Sequence, residues 1–221
     1  MRRRSLRYNL IVFDWDGTLI DSAGAIVECI QHAARELGLD VPDRERASHV
    51  IGLGLQDSLR HAVPSLPQER TMEFVASYRR EFLAREDRMQ LFPGVVEMLD
   101  ALRDRGHALA VATGKSRRGL ERALDGSGLR TYFATSRCAD ESEAKPHPAM
   151  LRELMRELNV EPARALMIGD TSHDLRMAAA AGVDALAVSH GAHAESDLRA
   201  LQPRACLAGV PELRQWLLRH A

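Results

Sequence analysis

Along the chain, short apolar runs alternate with longer stretches whose apolar residues recur every three or four positions. The first run, Leu10 to Phe13, is too short for a helix and is bounded by polar and turn-forming residues. It reads as a buried strand of a parallel sheet. From Ser22 to about Asp87 no strand pattern appears. Asp21 or Ser22 can cap a helix whose apolar positions include Ala25, Ile26, Cys29, Ile30, Ala33, Ala34 and Leu37, and Gly38 stops it. Further helical pieces are predicted over 43–50, 55–62 and 67–84, separated by Pro or Gly breaks.

After Leu91-Phe92-Pro93-Gly94 the period changes. Strands now alternate with helices, the signature of a parallel sheet covered by helices. Pro93 opens a helix that Gly106 ends, and a strand follows over 107–112. Next come a helix over 116–125, a short apolar piece over 132–134 and a helix introduced by Lys145-Pro146-His147-Pro148. A strand over 165–168 precedes a helix over 175–181, and 185–188 is a further strand. The tail offers a weak strand over 205–207 and a helix over 211–219 that buries Leu213, Trp216 and Leu217. The fold class is therefore α/β, with an all-helical insert after the first strand.

Composition narrows the class of partner. Of 221 residues, 45% are hydrophobic and 28% charged, the balance of an ordinary globule, and the formal net charge is -1. No global field draws nucleic acid or a membrane surface, and no segment has the length of a membrane span. Cys29, Cys138 and Cys206 are odd in number and far apart, which fits neither a zinc site nor a disulfide framework and suggests a reducing cytoplasm. Arg2-Arg3-Arg4 resembles a signal-peptide start, but the apolar stretch behind it stops at Asp14, so the arginines read as a solvated, frayed terminus.

The candidate chemistry sits where strands end. Asp14 and Asp16 close the first strand and Gly17 allows the chain to turn sharply. An Asp-rich turn is the ordinary alternative, and an EF-hand loop fails because Thr18 stands at the third ligand position and Gly17 comes too early. Thr113-Gly114-Lys115 ends a second strand, Lys145 precedes a helix, and Gly169-Asp170 with Asp174 ends a third. In a parallel sheet these junctions share one edge, so the residues converge on one crevice. The carboxylates there make a hard-oxygen site of the kind Mg²⁺ prefers. A Lys, a Thr and free N–H groups at helix starts would hold an anion. Together they describe phosphoryl transfer.

These four motifs, in this order, resemble those of the haloacid dehalogenase superfamily, in particular its phosphoglycolate-phosphatase-like branch. The resemblance runs from about Tyr8 to the tail. It implies a Rossmann-like core over 1–21 and 89–221, with a helical cap over 22–88. It implies further that Asp14 is the nucleophile and Asp16 the acid/base, and that Thr113, Gly114 and Lys145 bind the phosphoryl oxygens. Mg²⁺ would be held by the Asp14 carboxylate, the Asp16 backbone carbonyl and Asp170, with Asp174 in the outer shell. The expected activity is Mg²⁺-dependent hydrolysis of a small phosphorylated metabolite, 2-phosphoglycolate first, by a monomer or homodimer.

Other readings stay open beside this one: a sugar-phosphate mutase, a pyrophosphatase, or a non-catalytic phosphate-binding module. Phosphonate cleavage does not, since residues 22–88 contain no Lys for a Schiff base. Many relatives carry Asn at the position of Gly114, so a side-chain contact is lost there. His49, Gly52, Leu53, Gly54 and Gln56 fall where similar caps place a loop over the site, and His49 and Gly52 are taken as candidate substrate contacts. Gly52-Leu53-Gly54 is no dinucleotide fingerprint, because no strand precedes it. Lys115 reads as a solvated lysine at a helix start, His173 as a loop residue and His147 as a turn residue. Met72, Met89, Met98, Met150, Met155, Met167 and Met177 read as core filler, and Trp15 as a packing residue.

Overall fold

In the computed structural model of the chain, residues 6–86 and 88–221 are described, apart from the side chain of Gln56. The Arg2-Arg3-Arg4 start lies outside them. A six-stranded, all-parallel sheet has the strand order β3-β2-β1-β4-β5-β6. Its members are β1 (Leu10–Phe13), β2 (Ala108–Thr113), β3 (Thr135–Cys138), β4 (Ala165–Gly169), β5 (Asp184–Val188) and β6 (Ala205–Leu207). β1 lies between β2 and β4, with Val12 opposite Ala110 on one side and Met167 on the other. Strand order reverses between β1 and β4, and at such a switch point the diverging connections leave a crevice at the carboxyl ends.

The side-chain alternation of β1 divides the core into two layers. Ile11 and Phe13 pack with α5 (Val95–Arg105), α6 (Arg117–Ser127) and α10 (Val210–His220). Leu10 and Val12 pack with α7 (Ala149–Glu157) and α8 (Ser172–Ala181) on the opposite face. Between β1 and α5 the chain leaves the sheet as α1 (Ala23–Glu36), α2 (Arg44–His49), α3 (Leu55–Ala62) and α4 (Thr71–Glu86). These four helices bury an apolar cluster of their own, including Ile30, Leu59, Phe74 and Phe82, and form a cap. The two crossings run side by side: Ile20 bridges Leu91 antiparallel, and the Phe92 N–H donates to the Leu19 carbonyl at 3.0 Å.

Several local expectations are corrected. The short apolar piece over 132–134 overlaps a single 3-10 turn, Arg130–Tyr132, and the polar β3, Thr135–Cys138, follows it unpredicted. As an edge strand β3 pairs on one side only, and Arg137 is tied to Glu153 and Glu157 of α7. A helix α9 (Glu195–Ala200) went unpredicted, being too short to show a stripe and burying only Leu198. α8 begins at Ser172, so His173 and Asp174 are helical rather than in a loop. Gly94, not Pro93, is the residue before α5. Met72 is not core filler; it is 75% exposed. No helix among the described residues is long and apolar enough to cross a membrane.

Candidate active site

β1 delivers Asp14 into the crevice, and burial is nearly complete there: Asp14, Thr113, Lys145, Asp170 and Asp174 are each at most 1% exposed. Asp170 leaves β4, whose carboxyl end is in register with that of β1. Asp174 stands in the first turn of α8, where it completes a capping box with Thr171: its Oδ2 accepts from the Thr171 N–H at 3.1 Å and from the Thr171 hydroxyl at 2.7 Å. That leaves Oδ1 facing the site. Asp14, Asp170 and Asp174 each bring one oxygen within 4.8 Å of the others.

Lys145, on the turn between β3 and α7, balances part of this charge. Its Nζ lies 2.7 Å from Asp14 Oδ1 and 2.7 Å from Asp174 Oδ1. These are ion-pair contacts that fall short of aligned hydrogen bonds. Both Asp14 oxygens, Asp174 Oδ1 and the ammonium therefore lack an aligned partner among the described residues. Buried carboxylates without aligned partners are costly unless a cation meets them. Burial, reinforced by Asp174 and Asp170 and opposed by Lys145, pushes the Asp14 pKa well up. Asp170 is pushed up to about 7 by burial and by Asp174. For Lys145, burial works against the charge, but Asp14 and Asp174 outweigh it and its pKa rises. Three buried acids against one ammonium leave room for a divalent cation, and the oxygen-only donor set fits one.

Asp170 is held from three sides. Thr18 donates to its Oδ1 at 2.7 Å and the Ala192 N–H to its Oδ2 at 2.7 Å. Gly17, at φ 77°, lies so close that a Cβ there would stand 2.2 Å from Asp170 Oδ2. The glycine thus serves the close approach as well as the turn.

Asp16 faces away from the other acids. Its Oδ1 accepts from the Ser22 hydroxyl at 2.8 Å, and the Lys115 ammonium is 3.0 Å from both of its oxygens. Lys115 is not the solvated residue expected at that position. Its side chain is 11% exposed and lies over the Phe82 ring of α4, 4.6 Å from the centroid. Its Thr-Gly-Lys context alone does not say which way the ammonium turns. The Lys115 N–H also donates to Thr113 Oγ1 at 3.2 Å, leaving the Thr113 O–H free to donate to an anion.

The cap meets this floor at the turn around Gly52. A Cβ on Gly52, whose φ is 90°, would be 3.9 Å from Asp14 Oδ2, and one on Gly114 would be 2.5 Å from the Leu53 carbonyl oxygen. Gly52 and Gly114 are thus brought to the floor, with Asp14, Thr113 and Lys145. His49 is not among the residues that line the crevice. Its ring stacks on His193, with centroids 4.8 Å apart, and its carbonyl accepts from His173 Nε2 at 2.8 Å and His193 Nε2 at 3.2 Å. His193 Nδ1 accepts from the Ser172 N–H, so the ring is a neutral tautomer with its proton on Nε2. Burial and the neighbouring histidines push its pKa down to about 4. The three histidines tie cap to core beside the acids, where His173 had been expected in a loop.

Between floor and cap lies a cavity of about 860 Å³, lined by Asp14, Asp16, Thr113, Gly114 and Lys115 below. Its cap side draws on α1, α3, α4 and the 50–55 turn.

Comparison with known proteins adds a lineage to this geometry. Residues 11–188 match the family described as haloacid dehalogenase-like hydrolase. The chain is 36% identical over 202 residues to the probable phosphatase IndB of Dickeya dadantii, covering 88% of this chain and 87% of that protein. It is 34% identical over 224 residues to a 5′-nucleotidase of Pseudomonas aeruginosa, covering 100% of both. Among solved structures, a predicted phosphatase from Clostridium acetobutylicum superposes with a TM-score of 0.84 at 26% identity, over 97% of this chain and 100% of that one.

Proposed function

The chain belongs to the haloacid dehalogenase-like hydrolase family, and from that premise we propose a Mg²⁺-dependent phosphomonoesterase that works through an aspartyl-phosphate on Asp14. The observation that carries the reading is the position of Lys145 Nζ, 2.7 Å from both Asp14 and Asp174. A nucleophile, a counter-cation and metal-ligating acids from separate strand ends thereby share one buried point.

Asp14 attacks phosphorus as a carboxylate, forming the acyl-phosphate bond as the ester oxygen departs. Lys145 favours that ionised form and, with the Thr113 hydroxyl and the Gly114 N–H, neutralises charge on the equatorial phosphoryl oxygens. Asp16 gives a proton to the leaving oxygen and takes one from the water that hydrolyses the intermediate. Ser22 and Lys115, both within 3.0 Å of its carboxylate, hold Asp16 apart from Asp14. Asp14, Asp170 and the Asp16 carbonyl, with Asp174 close by, would hold Mg²⁺, which would supply positive charge at the phosphoryl group. The cap covers the reacting atoms and restricts water.

2-Phosphoglycolate is the first substrate to assay under this reading. The 5′-nucleotidase relationship makes phosphate esters of larger alcohols equally direct to assay. Three free cysteines suit a reducing cytoplasm. In the test, Asp14→Asn is assayed on p-nitrophenyl phosphate with and without Mg²⁺. Turnover is expected to fall by at least about 10⁴-fold, the scale of losing a nucleophile, while the circular dichroism spectrum is retained. Substantial hydrolysis by that variant would overturn the assignment.

A further inference from the structure

Resting on the phosphatase reading, we infer that the cap side of the cleft is built for a phosphate ester whose alcohol carries a bulky apolar body of aromatic size. The volume comes first. A cavity of about 860 Å³ lies in the upper part of the range that holds drug-sized ligands, whereas 2-phosphoglycolate has a two-carbon alcohol.

The wall chemistry agrees. Met72, Val75, Tyr78, Phe82 and Leu83 recur at helical spacing along α4, so one stripe of that helix faces the cavity. Ile26 and Ile30 of α1 contribute to the same lining. Met72 is 75% exposed and Leu83 49% exposed, although both are large and apolar. Exposed apolar groups gathered on one concave surface mark a binding face. Here that surface is continuous with Asp14 and Asp16, which line the same cavity. The Tyr78 and Phe82 rings stack on each other at 5.9 Å and 26°, adding aromatic carbon to that wall.

Polar groups are the minority on the same walls. The Ser58 hydroxyl, in the lining, is spent on the Val50 and Gly54 carbonyls at 3.0 Å each. Of the four cations that line the cavity, Lys115 is paired with Asp16 and Arg122 with Glu86, while Arg79 and Arg118 have no ion pair among the described residues. Asp57 and Asp140 add negative charge to the same walls.

The test uses the full chain with Mg²⁺ and a series of primary-alcohol phosphates, so that leaving-group reactivity changes little. The series is 2-phosphoglycolate, glycerol 3-phosphate, 2-phenylethyl phosphate and 2-(1-naphthyl)ethyl phosphate, with p-nitrophenyl phosphate as the activity control. The naphthyl ester is expected to exceed glycerol 3-phosphate in kcat/KM by at least about tenfold, or ~1.4 kcal/mol, the equivalent of about two buried methylenes. In the double variant Met72→Asp, Leu83→Asp, that ratio is expected to fall toward one without a drop in melting temperature, both side chains being on the surface. Equal or faster turnover of 2-phosphoglycolate or glycerol 3-phosphate overturns the inference and leaves the phosphatase standing. An unchanged ratio in the double variant also overturns it. Failure to hydrolyse any ester, the control included, removes the phosphatase reading itself.

Discussion

The floor of the cleft buries Asp14, Lys145, Asp170 and Asp174 within contact of one another, while the roof above them, lined by α1 and α4, presents mainly apolar carbon. Both arrangements cost stability, in opposite ways. On the floor the cost is desolvated charge, which only a partner ion or a charged substrate relieves. On the roof it is the apolar surface of Met72 and Leu83 left in water, which an apolar ligand relieves. The floor therefore specifies a reaction and the roof specifies a molecule. The two can be perturbed separately.

Removing Lys145 should separate them most sharply. In Lys145→Ala, Asp14 and Asp174 face one another in a dry interior with no ammonium between them. Breaking a buried pair in this way costs about 3–5 kcal/mol, and turnover should be lost with it. Urea unfolding at pH 8 without divalent cation measures the first and p-nitrophenyl phosphate hydrolysis the second. A loss under about 1 kcal/mol, the range of exposed pairs, would mean that water reaches the floor and that the contrast with the roof is false.

A smaller change tests where the two regions touch. A Cβ at position 114 would meet the Leu53 carbonyl oxygen at 2.5 Å and the Gly52 carbonyl oxygen at 2.7 Å, and backbone cannot give way as a flexible side chain can. Gly114→Ala should push the 50–55 turn off the floor at a cost of about 1–3 kcal/mol. Proteolysis within that turn should quicken, with the affinity for Mg²⁺ unchanged because the acids are untouched. Unchanged proteolysis would show that the cap does not rest on Gly114 in solution.

Gly114 also shows what could be read in advance. Asp14, Asp16, Thr113 and Asp170 were legible because each is a reactive group at the end of an apolar run, and strand ends in a parallel sheet share an edge; Lys145 follows no apolar run and was placed by the order of the motifs. Gly114 was expected to bind phosphoryl oxygens and to lack an Asn side chain, but its steric role could not be read, since it depends on a turn some sixty residues earlier. Lys115 was misread for a related reason: its Asp16 and Phe82 partners come from β1's turn and from α4. The polar β3 was missed because edge strands need no apolar pattern. Met72 was taken for core because α4 has apolar residues toward both the cap interior and the cleft, which blurs its period.

The remaining prediction concerns the floor alone and has the gentlest slope. Asp170 has a pKa raised to about 7 by burial and by Asp174. Without a cation, its contribution to stability is present below the ordinary carboxylate range and is lost as pH rises through about 7. A divalent cation needs the ionised form, so below about pH 7 it must displace a proton. Asp14, pushed the same way, adds to the competition. Mg²⁺ affinity should therefore fall by at least about tenfold per pH unit below 7 and level off above it. His193, whose pKa is lowered to about 4, acts in the opposite direction on stability, its contribution being lost as pH falls through about 4. Comparing cation-bound with cation-free protein at each pH cancels a term common to both. Calorimetric titration of Mg²⁺ between pH 5.5 and 8.5, with Asp170→Asn alongside, reads the slope directly. An affinity independent of pH in that window would mean that the carboxylate oxygens are already ionised and solvated, and the floor would then be no different in kind from an exposed acidic surface.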